Sequence, residues 1–195
     1  MTTVPVRLLA ICGSSRRGSW NRQLLAIAAS GARQTGADVT PLDLKDLNLP
    51  IFDEDLEAEQ GLPAGAIGLK RMLRQHDGLL LACPEYNGSI TPLLKNALDW
   101  ASRPEPGNPP SAYAGLTAAL FATSPGRLGG LRGLSPVREV LQNLGVLVLP
   151  HSVSIPSATS AFDDQGQLVD TSQTEHVQAH TTELVRVTAA LLARP

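Results

Sequence analysis

The sequence predicts an α/β fold built on one doubly wound parallel sheet, and two observations lead to that prediction. Short runs of apolar residues alternate along the chain with longer segments whose apolar residues recur at helical spacing. The apolar runs are continuous rather than interleaved with polar residues, which is typical of strands covered by helices on both faces. An alternation of strands and helices favours parallel strands that are joined by helical crossovers.

Five apolar runs are predicted as strands, at residues 6–12, 39–44, 78–83, 116–123 and 145–149. Five segments with helical spacing are predicted as helices, at residues 21–35, 66–75, 91–102, 136–144 and 174–192. This pattern matches the flavodoxin-like doubly wound plan, a five-stranded parallel sheet with helices on both faces. Residues 47–65 are polar, acidic and interrupted by prolines, so we expect a long loop there, and we expect residues 151–170 to be irregular. The whole chain, residues 1–195, is predicted as a single domain.

The composition excludes several classes of function. The 195 residues carry a net charge of −2 at pH 7, and 43% of them are hydrophobic. A charge so close to neutrality offers no basic field to a nucleic acid and no polybasic patch to an anionic membrane. No run reaches the roughly 18 apolar residues that a membrane span needs, so we expect a cytoplasmic protein.

Residues that could form a disulfide or hold a metal are few and scattered. Cys12 and Cys83 each end an apolar run, which indicates small buried side chains rather than a disulfide. The histidines are predicted at the surface or at helix ends; they are His76, His151, His176 and His180. The last two share a helix face, but no third ligand is evident, so no metal site is predicted.

The candidate binding residues lie in the loops after the first, third and fourth predicted strands. In a doubly wound sheet, ligands bind beyond the carboxyl ends of the strands, at the point where the strand order reverses. The first loop, residues 13–21, combines glycines, hydroxyl groups, an amide and Arg16 just before a helix, which suits a phosphate. An ordinary strand–helix turn capped by Ser19 or Asn21 is the equally open alternative.

The first loop also excludes two common nucleotide motifs. It lacks the G-x-G-x-x-G spacing of a dinucleotide site and the Gly-Lys-Ser/Thr of a Walker loop. A phosphate grip built on side chains instead favours a mononucleotide. No G-x-S-x-G sequence is present, so Ser14 and Ser19 are not predicted to be hydrolase nucleophiles.

The two other loops permit close approach of a ligand. Residues 84–89 read Pro-Glu-Tyr-Asn-Gly-Ser, which fits either a turn or a backbone-lined edge for a flavin ring with Tyr86 beside it. The third loop, residues 123–130, contains Gly126, Gly129 and Gly130, which fits either a flexible loop or a close approach to a ligand.

In combination, the three loops resemble the NADPH-dependent FMN reductase family, which includes quinone, chromate and azo reductases. The likeness is carried by Gly-Ser-x-Arg-x-Gly-Ser-x-Asn at 13–21, by Pro-Glu-Tyr-Asn-Gly-Ser at 84–89 with Leu-Lys-Asn-Ala-Leu-Asp-Trp at 94–100, and by Ser-x-Gly-Arg-x-Gly-Gly at 124–130. It extends from about residue 6 to residue 150, and residues 162–166 look like the family's late loop. One departure is Thr91, which stands where many members have proline, although either residue suits a helix start.

The resemblance implies an FMN site formed by residues of these loops. It implies that the FMN phosphate is held by Ser14, Arg16, Ser19 and Asn21. It implies that the isoalloxazine ring is lined, mostly through backbone groups, by Pro84, Glu85, Tyr86, Asn87 and Gly88, with Ser124 and Gly126 near its other side. No side chain is assigned as a catalytic acid or base, because the flavin itself carries the chemistry.

The function that the resemblance implies is an oxidoreductase with FMN as cofactor and NADPH or NADH as co-substrate. Hydride would pass through bound FMN to a small acceptor such as a quinone, an azo compound, chromate or a flavin. Family members are commonly dimers or tetramers, which implies a homo-oligomer with an interface along residues 93–100 and Trp100 as its anchor. The loop at residues 49–55 is expected to approach the site of a neighbouring subunit.

Three alternatives stay open on the sequence alone. The chain could be a flavodoxin-like electron carrier, although such carriers are usually markedly acidic and this chain has a net charge of only −2. It could be a flavin reductase that supplies free FMNH2 to a partner monooxygenase. It could also be a phosphate-binding regulator of the same fold, but the first predicted strand ends at Cys12 and Gly13 rather than at an aspartate.

Overall fold

The computed structural model describes residues 5–107 and 109–193 of the chain. Its strands are β1 Arg7–Cys12, β2 Asp38–Asp43, β3 Gly78–Ala82, β4 Thr117–Thr123, β5 Leu147–Val148 and β6 Val153–Ile155. Its α-helices are α1 Trp20–Gln34, α2 Glu54–Gln60, α3 Ala64–Gln75, α4 Pro92–Ser102, α5 Leu131–Asn143, α6 Ala158–Ala161 and α7 Thr171–Leu192. A 3₁₀ helix, Leu44–Leu47, follows β2. Strands and helices alternate along most of the chain, which confirms the predicted α/β class.

The strands form one sheet in the order β2-β1-β3-β4-β5, and all neighbouring strands are parallel. β6 also pairs with β4, further along it: Leu147 of β5 lies opposite Thr117, and Val153 of β6 lies opposite Phe121. β5 and β6 are therefore two pieces of one interrupted fifth strand. The order 2-1-3-4-5 is that of the flavodoxin-like fold, which confirms the predicted sheet.

The interruption of the fifth strand is held by Arg138, a residue of α5. Its guanidinium donates hydrogen bonds to the carbonyl oxygen of Leu149 at 2.6 Å, to that of His151 at 3.3 Å and to Oγ of Ser152 at 2.8 Å. Pro150 lies within the interruption and has no N–H to offer the sheet. Backbone groups that leave a sheet need new partners, and this guanidinium supplies them.

The sheet divides the apolar core into two layers. Alternate residues of β1 face opposite sides: Leu9 and Ile11 pack with α3, α4 and α5, whereas Leu8 and Ala10 pack with α1 and α7. β3 and β4 are buried at every position, which is why their sequences read as nearly unbroken apolar runs. With both faces covered, the ends of the strands are where polar loops can gather.

The prediction of one long loop at residues 47–65 is wrong, because this stretch contains α2. Asp53 caps the helix, and its carboxylate accepts hydrogen bonds of 2.8 and 3.3 Å from two N–H groups of the first turn. Gly61 ends the helix with a φ of 72°. No residue of α2 is buried, so the helix lacks an apolar stripe. A salt bridge of 2.8 Å between Glu57 and Arg103 attaches it to the end of α4.

Two further predicted boundaries in the C-terminal half are also wrong. α5 begins at Leu131 rather than at residue 136, so Pro136 lies inside the helix. Residues 151–170, expected to be irregular, contain β6 and the short helix α6. β6 forms because it pairs with β4, a partner that local sequence patterns do not reveal.

Trp100 is buried inside its own subunit, so the prediction that it anchors a subunit interface is wrong. It is 0% exposed, its Nε1 donates a hydrogen bond to the carbonyl oxygen of Pro50 at 2.8 Å, and its ring meets Phe52 edge-on with centroids 5.0 Å apart. Asn96 holds the same segment: Nδ2 donates to the Pro50 carbonyl at 2.8 Å, and Oδ1 accepts from the Phe52 N–H at 2.7 Å. Between these two fixed residues, Ile51 is 87% exposed.

The two cysteines and His76 lie where burial and backbone contacts account for them. Cys12 and Cys83 are free and buried, which confirms their prediction, and burial raises the pKa of both thiols. His76 ends α3, where its Nδ1 lies 2.6 Å from the carbonyl oxygen of Met72. Within residues 5–107 and 109–193, no cluster of three or more potential ligands could hold a metal ion. In the same ranges, no helix is long and apolar enough to cross a membrane.

His180 of α7 departs from the predicted surface position. It is 7% exposed, its ring meets Phe121 edge-on at 5.2 Å between centroids, and its Nε2 has no hydrogen-bond partner in the described part of the chain. Burial lowers the pKa of His180 to about 4, and the positive charges of His176, His151 and Arg138 act in the same direction. The imidazole is therefore neutral in the folded protein at neutral pH.

We expect this buried imidazole to make the folded protein less stable as the pH falls from 6.5 to about 4. In this window the unfolded chain takes up a proton that the folded protein does not bind, so acid favours unfolding, by about 2–3 kcal/mol for a shift of this size. Urea denaturation of the wild type and of His180→Leu, at neutral pH and near the lower end of this window, measures the effect. The loss of stability on acidification should be smaller in the variant; equal losses would contradict the prediction.

Candidate functional site

A cavity of about 250 Å³ lies at the carboxyl ends of β1, β3 and β4, between the loops that follow these strands. The strand order reverses between β1 and β3, and such a point is where ligands bind in doubly wound sheets. The cavity is lined by Ser14, Arg16, Ser19, Trp20, Asn21, Pro84, Glu85, Tyr86, Thr123, Ser124 and Pro125.

The start of α1 offers the features of a phosphate site. Ser19 is the N-cap residue, but its side chain makes no capping hydrogen bond, and no acidic residue occupies the first turn. The first N–H groups of a helix have no partners within the helix, so the positive end of the helix dipole meets the cavity without a carboxylate to neutralise it. Ser14 and Ser19 are 6% and 4% exposed and line the cavity there. Buried hydroxyls beside a helix N-terminus suit an anion.

Arg16 is held beside this helix start before any ligand binds. Its guanidinium lies over the ring of Trp20, 4.4 Å from the centroid, and donates a hydrogen bond to the Gly18 carbonyl at 2.7 Å. Its backbone N–H donates to Oγ of Ser14 at 3.2 Å. A guanidinium has five N–H donors, so these contacts leave donors for an anion.

The loop after β3 contains a tight turn that holds Tyr86 at the rim of the cavity. Tyr86 and Ser89 exchange two backbone hydrogen bonds of 3.0 Å. Asn87 and Gly88 between them have φ values of 52° and 80°. Two successive positive φ values define a type I′ turn, for which Asn-Gly is a preferred pair. The turn therefore explains Asn87 and Gly88 without a ligand, while Tyr86 lines the cavity and is 53% exposed.

Two of the glycines after β4 are required by packing against protein. A Cβ on Gly129 would lie 2.6 Å from the carbonyl carbon of Ile155, and its φ is 57°. A Cβ on Gly130 would lie 3.0 Å from a side-chain carbon of β4. Gly126 has more space, since the nearest atom to its Cβ position is Oγ of Ser124 at 3.7 Å. At Gly129 and Gly130, the close approach that the sequence indicated is thus made by protein atoms rather than by a ligand.

Asn21 connects the start of α1 to the end of β4. Its Nδ2 donates a hydrogen bond to the carbonyl oxygen of Thr123 at 2.8 Å, and its Oδ1 accepts one from the Thr123 N–H at 3.1 Å. The residue is 6% exposed. Both polar atoms of the amide are used by the protein, so the implied contact between this side chain and a phosphate stays a prediction that the geometry does not favour.

Glu85 caps α5 from the loop after β3. Its carboxylate accepts hydrogen bonds from the N–H groups of Arg132 and Gly133 at 3.0 and 3.2 Å, and it pairs with the Arg132 guanidinium at 2.6 Å. The N-cap residue of α5 is Gly130, which has no side chain for this purpose. Gly133 makes room, because a Cβ there would lie 3.1 Å from the Cβ of Glu85. Because Glu85 caps α5 from a distant part of the chain, the helix begins at Leu131. The local signal, Pro136, predicts a later start.

Thr91 connects the loop after β3 to the loop after β1. Its Oγ1 donates a hydrogen bond to the carbonyl oxygen of Gly13 at 2.7 Å and accepts one from the N–H of Leu94 at 3.3 Å. The residue is 2% exposed. The hydroxyl therefore caps α4 and also holds the neighbouring loop, which a proline at this position could not do because it has no donor.

The structure brings together most of the residues that the sequence assigns to the site. Those that line the cavity are Ser14, Arg16, Ser19, Asn21, Pro84, Glu85, Tyr86 and Ser124, and those that lie outside its wall are Asn87, Gly88 and Gly126. Trp20, Thr123 and Pro125 line it without having been predicted. Thr123 had a usable signal, because it is the last residue of the predicted fourth strand. Trp20 and Pro125 carry no comparable signal, because neither offers the backbone freedom of glycine or a hydroxyl group.

A larger groove of about 530 Å³ runs between α1 and the edge strand β2. It is lined by side chains along the length of these elements, among them Leu25, Ala29 and Leu42. Arg22 and Asp43 in its wall form a salt bridge of 2.7 Å. The groove lies on the flank of the sheet rather than at the ends of the strands, so it is not where doubly wound sheets bind their ligands.

Comparison with known proteins identifies relatives along nearly the whole chain. Residues 6–160 match a family model described as NADPH-dependent FMN reductase. An NAD(P)H-dependent FMN reductase of Pseudomonas aeruginosa is 38% identical over 174 residues, which cover 89% of this chain and 90% of that protein. An NAD(P)H:quinone oxidoreductase of Solanum tuberosum is 32% identical over 183 residues, which cover 89% and 88%. A solved flavoenzyme NAD(P)H:(acceptor) oxidoreductase from Paracoccus denitrificans has a TM-score of 0.80 at 26% identity, and covers 95% of this chain and 98% of that one.

These similarities are consistent with the fold and with the position of the cavity. The family match at residues 6–160 includes all three cavity loops. The solved flavoenzyme superposes over nearly its whole length, so the two chains share one overall fold. The chain therefore belongs to the NADPH-dependent FMN reductase family.

Proposed function

We propose that the protein binds FMN in the cavity between the loops after β1, β3 and β4, and uses it to reduce a quinone-type acceptor with NADPH or NADH. The observation that carries the proposal is the start of α1, where an uncapped helix N-terminus, two buried serine hydroxyls and Arg16 converge on one cavity. This donor set suits a phosphate monoester. The named relatives support the proposal, since their names describe FMN reduction and quinone reduction.

The residues at the phosphate end would hold the cofactor with little rearrangement. Ser14 and Ser19 are buried and offer their hydroxyls. Arg16 offers a positive charge, and its contact with Trp20 already restricts its side chain. A group that is ordered in advance loses less conformational freedom when the ligand binds.

The remaining wall suits a flat, mostly apolar ring. Pro84, Tyr86 and Pro125 contribute apolar surface to it. The volume of about 250 Å³ is below the roughly 300–1,000 Å³ of typical small-molecule pockets, so a bound mononucleotide would be enclosed only in part. The open side would admit the co-substrate and the acceptor in turn.

When bound, FMN supplies the chemistry, accepting hydride from NAD(P)H and passing reducing equivalents to the acceptor. The chain then has no need for a catalytic acid or base. Of the residues that line the cavity in the described part of the chain, the one carboxylate is Glu85, which is committed to the N-terminus of α5. The protein's part is to bind and orient the cofactor and to leave one face accessible.

The quaternary structure is part of the proposal, which is that the active protein is a homodimer or homotetramer. Ile51 supports it: the side chain is 87% exposed, while Asn96 holds the backbone on either side at Pro50 and Phe52. A large apolar side chain presented on a fixed loop suits a contact with a second subunit. Light scattering measures the mass, and a monomer at the concentrations used for assay would contradict this part of the proposal.

The visible absorption spectrum of the purified protein, before and after anaerobic addition of NADPH, tests the main proposal. A yellow protein that bleaches supports it. A yellow protein that both NADPH and NADH leave oxidised would instead be an electron carrier. A protein that loses FMN on dialysis but reduces added FMN would be a flavin reductase with FMN as substrate. A protein that takes up no FMN overturns the proposal.

Replacing Arg16 by alanine is expected to weaken FMN binding by about 1.5–3 kcal/mol, the range for a hydrogen bond to a charged group. Quenching of flavin fluorescence during titration of the apoprotein measures the dissociation constant. Arg17→Ala is the matched control, because Arg17 is the neighbouring exposed arginine and does not line the cavity. Equal effects of the two substitutions, or no effect of the first, would remove Arg16 from the phosphate site.

A further inference from the structure

Three side chains join the cavity loops to one another in a closed arrangement, which we call the loop circuit. Thr91, from the loop after β3, binds the loop after β1 at Gly13. Asn21, from the start of α1, binds the end of β4 at Thr123. Glu85, from the loop after β3, binds the first turn of α5, directly beyond the loop after β4. Each loop, or the strand end or helix start that adjoins it, is thus tied to both of the others.

We propose that Thr91, Asn21 and Glu85 are positioning residues, which preset the shape of the cofactor cavity through the loop circuit. This inference rests on the proposed function in so far as FMN is the ligand. Loops at the end of a sheet are its more mobile parts. If only two ties were present, the two loops without a direct tie could move relative to each other. The third tie joins that pair as well and restricts this motion.

All three ties join side chains to backbone; those of Thr91 and Asn21 are buried, and the charged tie of Glu85 is partly exposed. Thr91 and Asn21 are 2% and 6% exposed, and the Glu85 side chain is 10% exposed. The hydrogen bonds that form the three ties measure between 2.7 and 3.2 Å. Removing Thr91 or Asn21 leaves a buried backbone group of Gly13 or Thr123 unpaired, which is more costly than the loss of the hydrogen bond itself.

The same geometry separates these residues from ligand-binding ones. Both polar atoms of the Asn21 amide are occupied by Thr123. The Glu85 carboxylate accepts hydrogen bonds from N–H groups of α5, where its negative charge interacts favourably with the positive end of the helix dipole. Thr91 is not among the residues that line the cavity. Each residue therefore acts on a ligand through the backbone that it holds. A backbone that is already ordered loses less conformational freedom when the ligand binds.

The test compares Thr91→Val with Thr91→Ser, a pair that differs in whether the hydroxyl is kept. Titration of FMN into each apoprotein, followed by flavin fluorescence, gives the dissociation constant. We expect Thr91→Val to raise it about 3- to 10-fold, the change made by losing the one neutral hydrogen bond that joins Thr91 to the neighbouring loop, and Thr91→Ser to stay near the wild type. Asn21→Leu, which removes both hydrogen bonds to Thr123 at similar volume, is expected to raise it further.

Thr188→Val is the control for a general loss of stability. The Thr188 hydroxyl is buried and lies 2.6 Å from Oγ1 of Thr117, at the opposite end of β4 from Thr123. This variant should lower the temperature of unfolding without changing the FMN dissociation constant. An increase in that constant equal to the one in Thr91→Val would overturn the proposal, because the effect would then be global.

Amide hydrogen exchange of the apoprotein tests the loop circuit without any cofactor. In Thr91→Val and Asn21→Leu, the amides of residues 13–21, 84–91 and 123–133 should exchange faster than in the wild type, while those of α3 and α7 stay unchanged. Loop exchange at the wild-type rate in both variants would overturn the proposal. If the wild type itself binds no FMN, the proposed function fails, and the exchange experiment still decides whether the ties hold the loops.

Discussion

Replacing Trp100 by alanine is expected to lower the free energy of unfolding by about 3–5 kcal/mol, the usual cost of removing a large buried aromatic side chain. Trp100 is 0% exposed and packs edge-on against Phe52. Alanine would leave a cavity under this segment and would remove the hydrogen bond to the Pro50 carbonyl. Urea denaturation followed by circular dichroism measures the change.

Trp100→Phe is the matched control, because it keeps an aromatic ring and loses only the indole N–H and part of the volume. The Pro50 carbonyl would keep its second donor, Nδ2 of Asn96 at 2.8 Å, so we expect a loss of only about 1–2 kcal/mol. An oligomer's midpoint depends on protein concentration, but the difference between Trp100→Ala and the wild type should not, since the contacts of Trp100 lie within one subunit. A difference that changes with concentration, or a variant as stable as the wild type, would contradict this account.

Replacing Gly65 by alanine is expected to destabilise the protein by at least about 2 kcal/mol, because the new methyl group would overlap backbone. Gly65 lies in the first turn of α3, where a Cβ would overlap the carbonyl oxygen of Leu47 and lie 2.8 Å from its carbonyl carbon. The Leu47 carbonyl belongs to the backbone of the 3₁₀ helix, so it cannot relieve the overlap by a change of rotamer, as a flexible side chain could. For a chain of this size, each kcal/mol lowers the unfolding temperature by about 2–4 °C.

Gly68→Ala is the control on the same helix, three positions further along α3. A Cβ at Gly68 meets no atom within 4 Å. Alanine there should stabilise the protein by about 0.5–1 kcal/mol, because glycine is the poorer helix former. Calorimetry of both variants measures the two opposite shifts; stabilisation by both would show that helix propensity, not the contact with Leu47, decides the outcome at Gly65.

The sheet could be predicted because its strands carry their own signal. β3 and β4 are covered on both faces, so nearly all of their residues must be apolar wherever the chain crosses the core. The same reasoning located the cavity loops, since the ends of such strands gather polar residues. Both predictions rest on patterns that are local in the sequence.

The misplaced elements have local signals that are incomplete or that point to the wrong residue. α2 has a capping aspartate and a terminal glycine, but no buried residue, so hydrophobic periodicity could not reveal it. α5 shows a proline where a helix often starts, yet the helix begins at Leu131, next to the residues that Glu85 caps. The cap comes from a residue 47 positions away.

The site was predictable in its composition but not in its internal contacts. Serines, Arg16 and the Asn-Gly pair are visible as residues, and each has a local chemical meaning. Asn21 and Thr123 are 102 positions apart, and no spacing rule connects an amide to the end of a strand at that distance. A polar residue that looks like a ligand can thus be a brace between loops, and three-dimensional placement is needed to distinguish the two.

The interrupted fifth strand has a consequence for how the molecule behaves in concentrated solution. An exposed edge strand is a template on which another chain can pair and aggregate. Here one edge carries Pro41 in the middle of β2, and the other is divided into β5 and β6 by the turn that Arg138 fastens. A proline in an edge strand and a very short edge strand both hinder pairing with a strand of another chain. The interruption of the fifth strand therefore disfavours edge-to-edge pairing between molecules, whereas a continuous fifth strand would permit it.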